Sequence, residues 1–318
     1  MEENIYVVYL SVSIFAIIGV LIRIGLNTIE GELYIYLPYI LTNSIGCILL
    51  GFINTFKIQL TLWQYALYTG LSTGLCGSIT TFSSWNLAIF QDLFNLPKLG
   101  AYSYKNIFSG ILEIIVSLTA YTAMIKFGNH IGKLFPFNKE TEETTTTTTT
   151  VTTVKREKPE FNIKFMIYSG LTGVAMMAAI ILTIFDGDNR KIWISCLLAP
   201  FGACLRYLLS FRNSMFTDFP MGTFLANIVG TLCLGIFFIF RFAFDQKDFL
   251  CHFLVAVGDG FCGCLTTIST FINELNSLNT KNLYVYCLTS VAVAQIVLCF
   301  SFGFYGWTSG LKNTIMSC

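Results

Sequence analysis

Apolar positions run almost free of charge through Ile5–Ile22, Leu33–Phe56, Phe165–Phe185 and Leu283–Leu311. Runs of about 18 or more such residues are long enough to cross a hydrocarbon layer as helix. The pattern predicts about nine transmembrane helices, near 5–27, 34–56, 63–92, 106–127, 163–185, 191–211, 219–240, 249–273 and 284–308. Residues 138–161 break it. They hold the Thr144–Thr150 run and a mixed-charge flank ending at Pro159, a composition unable to build a core, so this stretch is expected to be a disordered linker. The chain divides accordingly into a first repeat (1–135), the linker (136–162), one separate helix (163–187) and a second repeat (188–318).

The two large parts carry the same signals in the same order. Gly19-x3-Arg23 pairs with Gly202-x3-Arg206, and Asn43-x2-Gly46-x4-Gly51 pairs with Asn227-x2-Gly230-x4-Gly235. GLCGSITTFSSW, aligned on Gly77, pairs with DGFCGCLTTISTF, aligned on Gly263. Ordered matches at a nearly constant offset mean an internal repeat. Each repeat holds four spans, and the fifth span, Lys164–Phe185, matches nothing else. Four spans return the chain to its starting side, and one more starts the second repeat from the opposite side. The expected fold is therefore an all-α integral membrane protein of two antiparallel four-helix repeats joined by one inverting helix. The third helix of each repeat is expected to be broken. The glycines Gly70, Gly74 and Gly77, with Thr80, Thr81, Ser83 and Ser84, support helix poorly at bilayer depth, as do Gly258, Gly260, Gly263, Thr266, Thr267 and Ser269.

Composition narrows the function. Apolar residues make up 54% of the chain, charged residues 12%, and the formal net charge is +1, which suits a membrane protein and implies no nucleic-acid partner. The cysteines within the apolar segments read as small packing residues, with no disulfide framework. Cys262-x-Cys264 lacks a second cysteine pair and nearby histidines, so zinc is not expected. No Ser/His or metal constellation supports an enzyme.

Polar groups at depth are the candidate site. Asn43 and Asn227 could serve as interhelical glue; their duplication beside the breaks favours pore lining, where an amide offers donors to an anion. Arg23 and Arg206 fall near the far ends of their spans and read either as snorkelling side chains or as a positive vestibule. Phe82 and Trp85, then Ile268 and Phe271, follow the breaks, and a ring edge is electropositive enough to face an anion. Glu113, Asp259 and Glu274 are intramembrane carboxylates, and Glu113 shares a helical stripe with Lys105, Ser109, Ser117 and Tyr121.

These motifs together resemble the fluoride channels, called Fluc or CrcB in bacteria and FEX in eukaryotes, over nearly the whole chain except the Thr-rich linker. The resemblance implies a passive conduit that exports fluoride across the plasma membrane and protects the cell, and a single chain acting as a fused pseudo-dimer. It implies a structural Na+ held by backbone carbonyls, matching Gly77, Thr80, Gly263 and Thr266, and no organic cofactor. The family's pore aromatics match Phe82, Trp85, Ile268 and Phe271; Trp85 and Ile268 depart from the two-Phe pattern, which implies one degraded path, with Glu113 a further candidate for it. Tyr286 and Ser290 fit the polar track of the last span. The competing expectation is a proton-coupled small-solute antiporter using Glu113 or Asp259.

Overall fold

The computed structural model describes residues 4–33, 35, 37–96, 104–135, 163–243 and 249–307. The Thr-rich linker lies outside the described residues. All regular structure among the described residues is helical. The long helices are α1 (Ile5–Glu32), α2 (Ile40–Thr55), α3 (Lys57–Thr69), α4 (Phe82–Phe94), α5 (Tyr104–Lys133), α6 (Ile163–Phe185), α7 (Arg190–Ser210), α8 (Met221–Ala243), α9 (Phe249–Ala256), α10 (Ser269–Ser277) and α11 (Thr280–Leu298). α1 starts where the Asn4 side chain accepts from the Tyr6 amide, and α11 where Asn279 does the same for Asn282. In both cases a side-chain oxygen satisfies a donor the first turn leaves open.

Each predicted segment coincides with helix, though not every one reaches spanning length by itself. Seven of the described helices or helical stretches are long and apolar enough to cross a membrane, or eight if the bent pair Ile40–Thr55 and Lys57–Phe94 is taken as one span. The short segment is α2, which has only 16 residues and meets the next helix at a bend of 108°. This is a multi-pass membrane protein.

Both third spans break at the expected place. After α3 the chain widens into a π-type stretch, Gly70–Cys76, makes a short turn at Gly77–Ile79 and extends at Thr80 and Thr81 before α4 begins. After α9 the same sequence of shapes runs through Val257–Cys262 and Gly263–Leu265 to an extended Thr266. The repeats interlock here. α1 packs against α7, and the turn at Gly77–Ile79 packs against that at Gly263–Leu265. α10 of the second repeat lies against α2 and α5 of the first, while α4 of the first lies against α8 and α11 of the second. Such reciprocal pairing marks a two-fold relation between equivalent surfaces.

Within each repeat, close packing fixes the register of the last helix. A Cβ on Gly51 would collide with the Ile125 carbonyl, and a Cβ on Gly235 with Ser301 and the neighbouring Leu298 side chain. A Cβ on Gly128 would in turn collide with the Ile48 carbonyl, so Gly128 faces Gly51 as Ser301 faces Gly235. Gly51 and Gly235 are equivalent, so Gly128 matches Ser301, and counting back pairs Ile125 with Leu298, Tyr121 with Ala294, Ser117 with Ser290 and Glu113 with Tyr286. α6 stands outside both repeats, packed on α1 and α7, with Ile167, Val174, Met177 and Ile181 exposed as a lipid-facing helix requires.

Candidate functional site

The break residues bond mainly to the opposite repeat. Thr80 Oγ1 lies 3.1 Å from Ser269 Oγ and 3.1 Å from Thr267 Oγ1, and it accepts from the Ile268 and Ser269 amides at 3.3 and 3.2 Å. Thr266 Oγ1 mirrors it, 2.9 Å from Ser83 Oγ and 3.3 Å from Thr81 Oγ1, and accepts from the Ser83 amide at 3.2 Å. Each threonine hydroxyl therefore caps the start of the helix that follows the other break. It satisfies amides that an interrupted helix leaves open at depth. All of these side chains are buried.

Arg23 and Arg206 do not sit at a vestibule. They are buried to 1% and 3% exposure and reach the same central region. Arg23 donates through Nη1 to the Ser78 carbonyl at 2.6 Å and through Nη2 to the Asp259 carbonyl across the interface. Arg206 donates to the carbonyls of Gly77 (2.8 Å), Thr266 (3.0 Å) and Thr73. The guanidinium groups lie flat against Gly77 and Gly263, where a Cβ would overlap them. A snorkelling reading fails because the helix breaks free carbonyls in the protein interior, and five fixed donors suit them.

Asn43 and Asn227 hold the breaks in shape. Asn43 Oδ1 accepts from the Thr81 amide at 2.9 Å while Nδ2 donates to the Thr81 carbonyl at 3.4 Å. Asn227 repeats this on Thr267, at 2.9 and 3.3 Å. Asn43 Nδ2 also donates to the Tyr121 hydroxyl at 3.3 Å; the residue equivalent to Tyr121 in the second repeat is Ala294, which has no hydroxyl.

Phe82 and Phe271 meet edge to face, with centroids 5.4 Å apart, and Phe271 packs on Tyr286 at 5.1 Å. Tyr286 donates to Glu274 at 2.8 Å, and Glu274 also receives Thr223 at 2.5 Å and Asn213 at 2.9 Å. Ser290, one turn along from Tyr286, is buried, and its hydroxyl has no hydrogen-bond partner among the described residues. Trp85 stands between the two sides, edge-on to Phe82 at 5.9 Å and to Tyr121 at 6.2 Å. Ile268 is fully buried in the same apolar cluster, and Glu113 is buried to 2% exposure at the position equivalent to Tyr286. The site thus has two unlike sides. One holds Phe82, Phe271, Tyr286 and Ser290. The other holds Asn43 and Tyr121, bordered by Trp85, with Glu113 two turns from Tyr121 along the same helix.

The hydroxyl crossing and the arginine–carbonyl bonds are not legible from motif spacing, because the partners lie in distant spans, many of them in the other repeat. Gln295, which donates to Asn86 at 3.0 Å and so ties α11 to α4, carries no motif at all. The nine cysteines taken as packing residues are free thiols, while Cys251 is disulfide-bonded.

Comparison with known proteins agrees with this duplicated architecture. A family model described as "CrcB-like protein, Camphor Resistance (CrcB)" matches residues 10–128 and again 193–307. The chain is 31% identical to fluoride export protein 1 of Candida albicans, over 97% of this chain and 82% of that protein. It is 27% identical to fluoride export protein 1 of Saccharomyces cerevisiae, over 97% and 95%. A bacterial relative, fluoride-specific ion channel FluC 1 of Lactobacillus delbrueckii, is 40% identical over 30% of this chain and 72% of its own length. No solved structure matches. With two matching regions in one polypeptide, the chain belongs to the CrcB-like family.

Proposed function

We propose that this protein is a passive channel that exports fluoride across the plasma membrane, as a single chain acting as a fused pseudo-dimer, through one intact path. The observation that carries the reading is the Phe82–Phe271 ring pair, one ring from each repeat, beside the Tyr286 and Ser290 hydroxyls. The electropositive ring edges and the Ser290 hydroxyl, which has no partner among the described residues, replace part of the hydration shell of a small anion without binding it as a fixed charge would, while the Tyr286 O–H is held by Glu274. The buried rings exclude water on the same side. The export names of the fungal relatives and the fluoride-specific name of the bacterial ones support fluoride as the ion. A membrane potential negative inside drives a monovalent anion outward by about 2.3 kcal/mol per 100 mV.

The antiparallel relation of the repeats is part of this reading, supported by their reciprocal contacts and by the single helix α6 between them. A structural Na+ is a further part. The carbonyls of Gly77, Thr80, Gly263 and Thr266 are hard oxygen donors of the kind that ion takes. Arg206 uses the Gly77 and Thr266 carbonyls, and each oxygen keeps a second lone pair. The ion would tie the two breaks together; the arginines and threonine hydroxyls do the same work from the chain itself.

The test is fluoride efflux, read with an electrode, from potassium-loaded liposomes carrying the purified protein, with the potential set by valinomycin and no pH gradient. A channel releases fluoride under these conditions. A proton-coupled antiporter using Glu113 or Asp259 releases it only when a pH gradient is imposed.

A further inference from the structure

The side of the site that holds Asn43 is closed by a specific side chain. Tyr121 is fully buried. Its hydroxyl takes the Asn43 amide hydrogen at 3.3 Å and donates to the Tyr39 carbonyl at 3.3 Å. Its ring packs edge-on against Trp85, itself fully buried. Tyr121 therefore consumes the one donor that Asn43 has left after clamping Thr81, and it fills the space in front of it. The packing register fixed by Gly51 and Gly235 places Ala294 at the equivalent point of the second repeat. Ala294 itself offers only a methyl group.

Near Tyr39, whose carbonyl accepts from Tyr121, lies a cavity at the interface of the repeats. The cavity, of about 90 Å³, is lined by Tyr39, Ser84, Phe238, Arg241 and Asp259, among others. Tyr39 belongs both to this cavity and to the hydrogen-bond chain from Tyr121. The cavity wall is mixed, with Arg241 and Asp259 among leucine and phenylalanine side chains.

We propose that Tyr121 is the plug of the second path, acting with Trp85, and that its ring, more than the altered aromatic pair, keeps this side from conducting. The proposal rests on the single-path reading of the preceding subsection. It also explains why a chain with two clamped asparagines offers only one path: at Asn43 the amide donor is spent inside the protein.

The test uses the full-length protein in liposomes and the same fluoride efflux measurement. Phe271→Ile should silence the conducting side. Adding Trp85→Phe and Ile268→Phe restores the ring pattern on the other side and should leave efflux at the silenced level. Adding Tyr121→Ala to these should raise efflux at least about tenfold above that level, whereas Tyr121→Phe, which keeps the ring, should not. As a converse that needs no multiple variant, Ala294→Tyr in the wild-type chain should cut efflux by at least about tenfold in protein that remains monodisperse. If folded protein carrying Tyr121→Ala with the restored rings stays silent, or Ala294→Tyr conducts normally, Tyr121 is not the plug. If Phe271→Ile alone leaves efflux intact, the single-path reading is what fails.

Discussion

The Phe82 and Phe271 rings come from opposite repeats and meet edge to face at 5.4 Å. Neither repeat alone can build that pair. Phe82→Ile or Phe271→Ile should therefore remove most fluoride efflux, while Trp85→Ala and Ile268→Ala should leave efflux per folded molecule nearly normal. Removing a buried Trp costs roughly 3–5 kcal/mol, so rates must be compared at matched amounts of monodisperse protein. A silent, well-folded Trp85→Ala with an active Phe82→Ile would reverse the assignment of the two sides.

The crossing threonines make a prediction about stability. Thr80 Oγ1 accepts from two amides of the other repeat, and Thr266 Oγ1 from one. Thr80→Val keeps the shape and deletes the cap, stranding buried donors at about 1–3 kcal/mol each. Thermal unfolding in detergent should show a lower midpoint for Thr80→Val and Thr266→Val, with Thr80→Ser close to wild type. Equal midpoints for Val and Ser variants would mean that the hydroxyls contribute nothing.

Arg206 is expected to be as important to the fold as any apolar core residue. Its hydrogen bonds to three carbonyls lie in the protein interior, and bonds to a charged group contribute about 1.5–3 kcal/mol each. Arg206→Lys preserves the charge but not the fork that reaches several oxygens, so it should lower the unfolding midpoint and Arg206→Met should lower it further. If Na+ shares the Gly77 and Thr266 carbonyls, exchanging it for N-methyl-D-glucamine should also lower the wild-type midpoint. An unchanged midpoint after exhaustive exchange would remove Na+ from the account and leave the arginines as the sole tie.

The two asparagines should respond differently. Both clamp a break through paired bonds to one backbone residue, so both Asn→Ala variants should lose stability by about 1–3 kcal/mol per stranded group. Only Asn227→Ala should also lose fluoride efflux per folded molecule, because the Asn43 amide is already bonded to Tyr121. Equal partial losses of efflux at both positions would indicate two working paths.

Much of this was readable along the chain. The duplicated Thr-Thr motifs place the breaks where Thr80 and Thr266 leave helical geometry, because glycine and hydroxyl residues weaken a helix locally. The pairing of Phe82 with Phe271 follows from two-fold exchange between repeats. Arg23 and Arg206 were misplaced for a definite reason. At the end of an apolar run, an arginine with no sequence-local partner looks destined for the interface; its partners here are carbonyls freed by a break in a distant span. The length of the second span was not readable, because α2 is only 16 residues long and its bend falls beside Lys57. Hydropathy does not register a bend. The inequality of Tyr121 and Ala294 needed the packing of Gly51 and Gly235 to set the register, since the last spans share almost no motif.

The central claim is that fluoride moves passively through the side built by Phe82 and Phe271. It is tested most directly by fluoride efflux from potassium-loaded liposomes with valinomycin and equal pH inside and out, comparing wild-type protein with Phe271→Ile. The account predicts rapid electrogenic efflux for wild type and efflux near that of protein-free liposomes for the variant. No wild-type efflux until a pH gradient is applied, or undiminished efflux through folded Phe271→Ile, would contradict it.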